Sequence, residues 1–304
     1  CGYCPLSAKK KGKDVFYANE RRIGTVGEAL EEAALMDALG TGITGGDPLI
    51  AVQRTAESIR ALKKRFGEDH HIHLYTSTTD GGRIGRVARA GLDEIRFHPP
   101  LGLWTRLERT EFAGALRLSK KMGMAAGLEV PVVPGRDRET LALVRSAEAL
   151  GLDFVNLNEL EFSETNWKAL RAQGFDVKYD VSSAVAGSEE LAMDVLRSGA
   201  GTPLHYCSSS FKDGVQLRER IERRARNVRR PHEILTDDGT LLKGVVETKD
   251  PEGTARALAR DFGVPAKLMW VDEEKRRLEV APWVLEELAP ELALPSFMVE
   301  EYPT

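Results

Sequence analysis

Short apolar or β-branched runs recur through the first two thirds of the chain, and each ends in a polar or glycine-rich turn. The stretches between them, such as residues 47–66 and 105–123, repeat their apolar positions with the spacing of an amphipathic helix. This alternation predicts βαβ units and a parallel sheet. The predicted strands are residues 38–44, 71–76, 92–97, 124–130, 152–158, 175–180 and 203–207.

Seven such units without a reversal favour an α/β fold of the (β/α) TIM-barrel type over an open, doubly wound sheet. Because a full barrel has eight strands, we expect the first strand to precede residue 1 and to be missing from this sequence. The alternative is that the chain begins there and that Cys1 is incidental. In a barrel the functional side chains collect at the carboxyl ends of the strands. The polar residues at the predicted strand ends are Asp47, residues 76–80, Arg96, His98, Glu129, Asn156, Asn158, Tyr179, His205 and Cys207.

The pattern changes near residue 230, where Pro231 ends an arginine-rich helical stretch. Residues 232–248 then predict two short strands around an Asp-Asp-Gly turn. A helix over 252–263 and a second hairpin over 267–282 follow, and the last residues are expected to form a tail on the surface. We therefore predict a barrel over 1–230 and a small α+β domain over 231–304.

Composition narrows the function classes. The net charge of −4 argues against nucleic-acid binding by the chain as a whole. No apolar run approaches the length of a membrane span, so we expect a cytoplasmic protein without a membrane partner. Three cysteines do not form a disulfide framework without one left over.

The chain opens on CGYCPLS, in which Cys1 and Cys4 form a CxxC motif with the aromatic Tyr3 before the second cysteine. Taken alone, this motif fits either a redox dithiol or half of a zinc site. Zinc would need further ligands, and His205 and Cys207 are candidates far along the chain. A non-catalytic, zinc-binding barrel is therefore the alternative to an enzyme.

A second motif, GITGGDPL, follows the first predicted strand. Gly45 and Gly46 would let a ligand approach the backbone closely, and Asp47 adds a carboxylate. Together, the two motifs resemble the radical S-adenosylmethionine (SAM) family. More closely, they resemble a mainly archaeal group related to the pyruvate formate-lyase activating enzyme.

The resemblance implies a radical SAM barrel in which a CxxxCxxC loop holds a [4Fe-4S] cluster and SAM chelates its open iron. Cys1 and Cys4 would be the second and third ligands, and the first would lie upstream. The remaining implied SAM or substrate contacts are Tyr3 near the adenine, Gly45, Gly46 and Asp47 at the amino group, Glu129 near adenine and ribose, and Arg96, His98, Asn156 and Asn158 lining the site. Two departures matter: Asp47 replaces the usual glutamate, and a chain without the first cysteine should be inactive.

His205 and Cys207 end the last predicted barrel strand. Cys207 is a candidate hydrogen-atom donor or substrate contact, and the alternative is a buried core cysteine.

The activity that the resemblance implies is oxidoreductase- or transferase-type radical chemistry. Reductive cleavage of SAM would give a 5'-deoxyadenosyl radical that abstracts hydrogen from the substrate. A ferredoxin or flavodoxin would supply the electron. The resemblance suggests a glycyl residue of a partner protein as substrate, whereas the basic stretches 9–13 and 218–230 suggest RNA.

Overall fold

The computed structural model describes residues 2–179 and 182–303, so the predicted ligand Cys1 lies outside the described residues. The chain forms two compact units. The first comprises Cys1–Ala33 and Ala38–Asp213, and the second comprises Ala34–Asp37 and Gly214–Thr304. The domain boundary expected from the sequence, between residues 230 and 231, stays a prediction.

Alternating strands and helices build the first unit. Its strands are β1 (Phe16–Ala18), β2 (Arg21–Ile23), β3 (Gly40–Ile43), β4 (His71–Thr76), β5 (Glu94–Phe97), β6 (Ala125–Val132), β7 (Phe154–Glu159) and β8 (Leu204–Cys207). Its helices are α1 (Val26–Leu35), which runs into the second unit, α2 (Val52–Phe66), α3 (Gly81–Ala88), α4 (Glu111–Lys121), α5 (Asp137–Ala149), α6 (Trp167–Ala172), α7 (Ser188–Leu196) and α8 (Ser209–Phe211). Short 3-10 helices cover Pro48–Ala51 and Leu101–Arg109.

Strands β3 to β8 form one parallel sheet in chain order, and β1 pairs with β2 in a separate hairpin. Six parallel strands in chain order, with helices between them, confirm the predicted α/β class of the (β/α) barrel type. One face of the sheet is apolar and packs with the helices; it includes Ile72, Leu74, Ile95, Leu128 and Val155, all fully buried. Because side chains alternate along a strand, the residues between them lie on the opposite, polar face.

The strand predicted over 175–180 is wrong for its described part. Val177 makes only an isolated antiparallel bridge with Val185 and joins no strand of the parallel sheet. Phe175 instead packs with Tyr3 and Phe162 in a small local apolar cluster. Lys178 pairs with Glu189. The alternating apolar and polar residues therefore make local contacts and do not form a strand of the parallel sheet.

The second unit is built around an antiparallel sheet, as the sequence predicted for the C-terminal segment. Its strands are β9 (Ile234–Leu235), β10 (Leu241–Val246), β11 (Met269–Asp272), β12 (Arg277–Val280) and β13 (Ser296–Glu301), and its helices are α9 (Arg218–Val228), α10 (Pro251–Asp261) and α11 (Pro282–Leu288). The strand order is β11-β12-β10-β13, with β9 on β10.

The expected surface tail is wrong, because residues 296–301 form β13 and pair along the whole of β10. Among the described residues, no helix is long and apolar enough to cross a membrane.

Candidate functional site

The polar face of the parallel sheet gathers most of the residues that the sequence placed at strand ends. In the sheet register, Tyr75 lies beside Arg96, Glu129 beside Asn156, and Asn158 beside Cys207. Neighbours in register on parallel strands project to the same side of the sheet. The face is therefore a continuous polar surface that crosses several strands, opposite the apolar core.

Glu129 is the centre of this surface. Its Oε2 accepts hydrogen bonds from Arg96 Nη1 at 2.9 Å and from Asn156 Nδ2 at 3.1 Å. Its Oε1 accepts from Asn158 Nδ2 at 2.8 Å. Four predicted site residues thus form one network. Both asparagines donate their amide groups to Glu129, so their Oδ1 atoms remain as acceptors. Among the described residues, no group donates to these oxygens.

Arg96 extends the network towards the start of the strands. Its Nε donates to Glu94 at 2.5 Å, and its Nη1 also donates to the Tyr75 hydroxyl at 3.0 Å. The Tyr75 hydroxyl lies 3.2 Å from His73 Nε2. Burial, and then the nearby Arg96 charge, lower the pKa of His73 to about 4. The imidazole is therefore neutral near pH 7.

His98 connects this surface to the cysteine loop. Its Nδ1 lies 2.9 Å from the Glu129 carbonyl oxygen, and its Nε2 lies 3.2 Å from the Tyr3 hydroxyl. Burial lowers the pKa of His98. Since a carbonyl only accepts, the proton of the neutral ring lies on Nδ1 and the Tyr3 hydroxyl donates to Nε2. Tyr3, two residues after Cys1, is thereby fixed against the polar face.

Two residues in the segment after β7 hold the backbone of the cysteine loop. Asn166, which is almost fully buried, donates from Nδ2 to the Tyr3 carbonyl at 3.0 Å. The Thr165 hydroxyl lies 3.3 Å from the Cys4 carbonyl and 2.8 Å from the Leu6 carbonyl. Sequence reasoning missed both, because a contact between segments so far apart in the chain leaves no local pattern.

A cavity of about 320 Å³ lies beside Tyr3. Its apolar lining includes Val133, Leu160 and Phe175, and Arg136 adds a charged group. Val133 follows β6 and Leu160 follows β7, so the cavity lies at the carboxyl ends of these strands. Small-molecule sites combine such an apolar lining with a few polar groups.

Asp47 connects two strand ends through its carboxylate. Its Oδ1 accepts from Leu49 N at 3.0 Å and from the Thr76 hydroxyl at 2.8 Å. Its Oδ2 accepts from Ser77 N at 3.0 Å and from the Thr78 hydroxyl at 2.9 Å. The carboxylate therefore ties the end of β3 to the end of β4. Direct contact between Asp47 and an ammonium group stays a prediction.

Gly45 and Gly46 lie exposed next to this carboxylate. Gly45 has a φ of +141°, a region that side chains rarely adopt. The glycine is needed there for its backbone conformation, since a Cβ at this position would meet no atom within 4 Å. The loop therefore presents bare backbone at the strand end.

His205 and Cys207 end β8, as predicted, with His205 exposed and Cys207 half-buried. Burial raises the pKa of the Cys207 thiol, against the opposing influence of Lys212. The thiol is therefore protonated near neutral pH, the state that a hydrogen-atom donor requires. Among the described residues, Cys4, His205 and Cys207 do not form a three-ligand group within 4.8 Å. The zinc-barrel alternative also uses Cys1, which lies outside these residues, and stays a prediction.

The residues present fit the cluster and SAM that the resemblance implies. Cys4 is a free, half-buried thiol on an anchored loop, and thiolates are the ligands of iron–sulfur clusters. Next to this loop lie the polar surface around Glu129 and the cavity beside Tyr3.

Comparison with known proteins agrees with this arrangement. A Methanocaldococcus jannaschii protein named "Putative glycyl-radical enzyme activating enzyme MJ0021" is 38% identical over all of this chain and 83% of its own length. A family model described as a domain of unknown function, DUF8061, matches residues 239–304.

Likenesses to solved structures are distant. Methylornithine synthase (PylB) aligns with a TM-score of 0.44 at 14% identity, over 68% of this chain and 66% of that one. Streptococcus suis SuiB bound to S-adenosylmethionine aligns with a TM-score of 0.44 at 13% identity, over 69% of this chain and 47% of that one. At such scores these likenesses identify no ligand or reaction. The identity to the archaeal relative carries the assignment: the chain belongs to the radical SAM family, in the group of this glycyl-radical enzyme activating protein.

Proposed function

We propose that this enzyme activates a glycyl-radical protein, with a [4Fe-4S] cluster and SAM as cofactors. The observation that carries the proposal is the anchored cysteine loop: Thr165 and Asn166 hold the backbone on both sides of Cys4 against the edge of the polar face. A loop fixed in this way keeps its thiolates pre-organised for a cluster, whereas a free CxxC segment would have to be ordered on binding.

When bound, the cluster supplies one electron for reductive cleavage of SAM, whose 5'-deoxyadenosyl fragment abstracts hydrogen from the substrate. The chain's own contribution is to bind, orient and shield these groups. Cys4 would ligate iron together with Cys1, which lies outside the described residues. Tyr3 would contact the adenine from its position on the wall of the cavity.

The Glu129 network would hold the ribose and the amino acid of SAM. Asn156 and Asn158 are oriented by their bonds to Glu129, which leaves amide oxygens as acceptors for hydroxyl or ammonium groups. His98 is held in one tautomer by the Glu129 carbonyl, so its orientation relative to Tyr3 is also fixed. The exposed backbone of Gly45 and Gly46 would accept the SAM ammonium, with Asp47 fixing the loop.

A protein substrate has better support than RNA. The 38% identical relative is named as an activating enzyme of a glycyl-radical enzyme. The basic helix α9 is partly committed to its own unit, since Arg226 pairs with Glu222 and Arg223 donates to the Met36 carbonyl. A cytoplasmic ferredoxin or flavodoxin would be the electron donor.

The test uses the protein with a complete CxxxCxxC loop, reconstituted without oxygen and reduced. We expect iron and sulfide near four each per chain, formation of 5'-deoxyadenosine from SAM, and a glycyl-radical signal in electron paramagnetic resonance when a candidate partner protein is added. Cys4→Ala should abolish all three. Failure of the wild type to form a cluster would overturn the proposal.

Two further variants test whether the anchored loop supports the cluster. Asn166→Asp keeps the side-chain shape but loses the amide donor to the Tyr3 carbonyl, so we expect less retained iron and an altered spectrum of the reduced cluster. Glu68→Gln, an exposed carboxylate just beyond α2, should match the wild type. If SAM is cleaved but the radical appears on no protein, and product forms only with RNA, the RNA alternative replaces the protein substrate.

A further inference from the structure

We propose that His71, His73 and Glu94 form a binding site for a divalent transition-metal ion, with zinc as the reference ion, on the polar face of the parallel sheet. One ligand atom from each of the three side chains lies within 4.8 Å of the other two. None of the three residues is among the proposed cluster and SAM ligands, and Arg96 connects the site to the Glu129 network.

The sheet register creates this group. His71 and His73 are two residues apart on β4, so both project from the polar face, and His73 lies directly beside Glu94 on β5. His71 Nε2 lies 3.5 Å from Glu94 Oε2. Zinc bonds of about 2.0–2.2 Å place tetrahedral ligands about 3.4 Å apart, so the present spacing closes with side-chain shifts of about 1 Å.

The neighbouring strand leaves room for the His73 ring. A Cβ at Gly42 on β3 would lie 2.6 Å from His73 Nε2. Gly42 is therefore the residue that lets the imidazole lie across β3 at this level of the sheet. Any side chain at this position would displace the ring from the group.

Neighbouring side chains also hydrogen-bond to the proposed ligands. Glu94 uses Oε1 to accept from Arg96 and keeps Oε2 towards His71. An ion bound at His73 Nδ1 would leave Nε2–H to donate to the Tyr75 hydroxyl, which lies 3.2 Å away. Outer partners of this kind orient metal ligands and tune their affinity. Arg96 thus binds the far oxygen of Glu94, and the near oxygen is left for an ion.

Two imidazoles and one carboxylate form a nitrogen and oxygen donor set that suits zinc and related divalent ions. Three protein ligands leave at least one position to water or a small molecule. The half-exposed His71 side chain, at 51%, gives solvent access to that position.

The site lies at the opposite end of the strands from the cysteine loop. His71 begins β4 and Thr76, which bonds to Asp47, ends it. Five residues of strand separate the two levels by about 16 Å. Metal bound at His71 and His73 would therefore leave the cluster ligands untouched, which makes the two sites separable by experiment.

The test uses the full-length, cluster-loaded protein after a chelator wash. Zinc is added as the probe, and binding is followed by calorimetry together with the zinc and iron content per chain. We expect one zinc per chain with unchanged iron. Since loss of an outer partner alone costs 10–100-fold, His73→Phe and Glu94→Gln should weaken zinc binding by about 100-fold or more. Glu68→Gln removes an exposed carboxylate outside the site and should bind zinc like the wild type.

X-ray absorption at the zinc edge of the wild type gives a second measurement that does not depend on how the variants fold. Two imidazoles with oxygen ligands support the site, whereas sulfur ligands overturn it. No zinc uptake by the wild type, or unchanged uptake by His73→Phe and Glu94→Gln, also overturns it.

Discussion

Two clusters of histidine and glutamate, one in each unit, bring three potential metal ligands within 4.8 Å of one another, and they differ in what fills them. The cluster of the second unit consists of His232, Glu233 and Glu279, all buried. Lys243 Nζ lies 2.7 Å from Glu233 and 3.1 Å from Glu279. The amino group therefore occupies the position that an ion would take.

In the first unit, no lysine of the described residues pairs with Glu94, the carboxylate of the His71, His73 and Glu94 group. Their nearest cation, Arg96, lies to one side and is shared between Glu94 and Glu129. The comparison shows that ligand type and spacing are not enough to define a metal site. A cluster is available to an ion only where the chain has not supplied its own cation and where solvent has access.

The largest effect expected from this comparison is on Lys243. Replacing it by Met should destabilise the second unit by about 3–5 kcal/mol, because breaking a buried ion pair leaves carboxylates without a partner. Hydrogen exchange of the peptide over Leu241–Val246, measured at increasing urea, reports this unit separately.

Lys275→Met is the matched control. Lys275 also binds a carboxylate, Glu301, but its side chain is 45% exposed. Exposed pairs contribute about 0–1 kcal/mol. If both lysine variants lower the free energy of unfolding by the same amount, Lys243 is not the cation that stabilises the buried cluster of His232, Glu233 and Glu279.

A smaller effect is expected for Arg96→Met in the first unit. Glu94 and Glu129 are 15% and 14% exposed, whereas Glu279 is 1% exposed, so water can reach them once Arg96 is gone. We therefore expect a smaller loss of about 1–2 kcal/mol, within the usual range for charged hydrogen bonds. Hydrogen exchange of the β6 peptide over Ala125–Val132 measures it. A cost as large as that of Lys243 would show that the polar face is a closed ionic network too.

The sequence predicted most of the parallel sheet because its periodicity is local. Apolar runs such as 71–76 and 152–158 can be recognised without knowing what they pair with, and the strands there confirm them. The predictions for residues 175–180 and 296–301 were wrong because strand formation there depends on a pairing partner. The described part of the first run joins no strand of the parallel sheet, whereas the second run, predicted as a tail, pairs with β10.

The candidate site shows the same division. Arg96, Glu129 and Asn158 were singled out because the sequence placed them at the carboxyl ends of parallel strands, and the structure joins them in one hydrogen-bond network. Glu94 and His73 lie inside strands and were not singled out. The alternation in HIHLYT was the available signal for His73, since it places its polar residues on one face.

The smallest effect is expected from acid, which protonates Glu279 in the buried cluster of the second unit. Burial would raise the pKa of Glu279, but hydrogen bonds from His232 and Arg277 and the charge of Lys243 outweigh it and lower the pKa to about 2. A carboxyl whose pKa is lower in the folded state stabilises the fold above its unfolded value of 4.5. That stabilisation is lost as pH falls from about 4.5 towards 2.

Between pH 7 and 3.5, the second unit should therefore lose about 1 kcal/mol through Glu279. Glu279→Gln, although less stable at pH 7, should lack this part of the acid dependence. The measurement is the urea dependence of exchange in the β10 peptide at several pH values. Equal acid sensitivity in both proteins would mean that Glu279 is not held ionised by its neighbours. Lys243 would then lie in the cluster without stabilising the ionised form of Glu279.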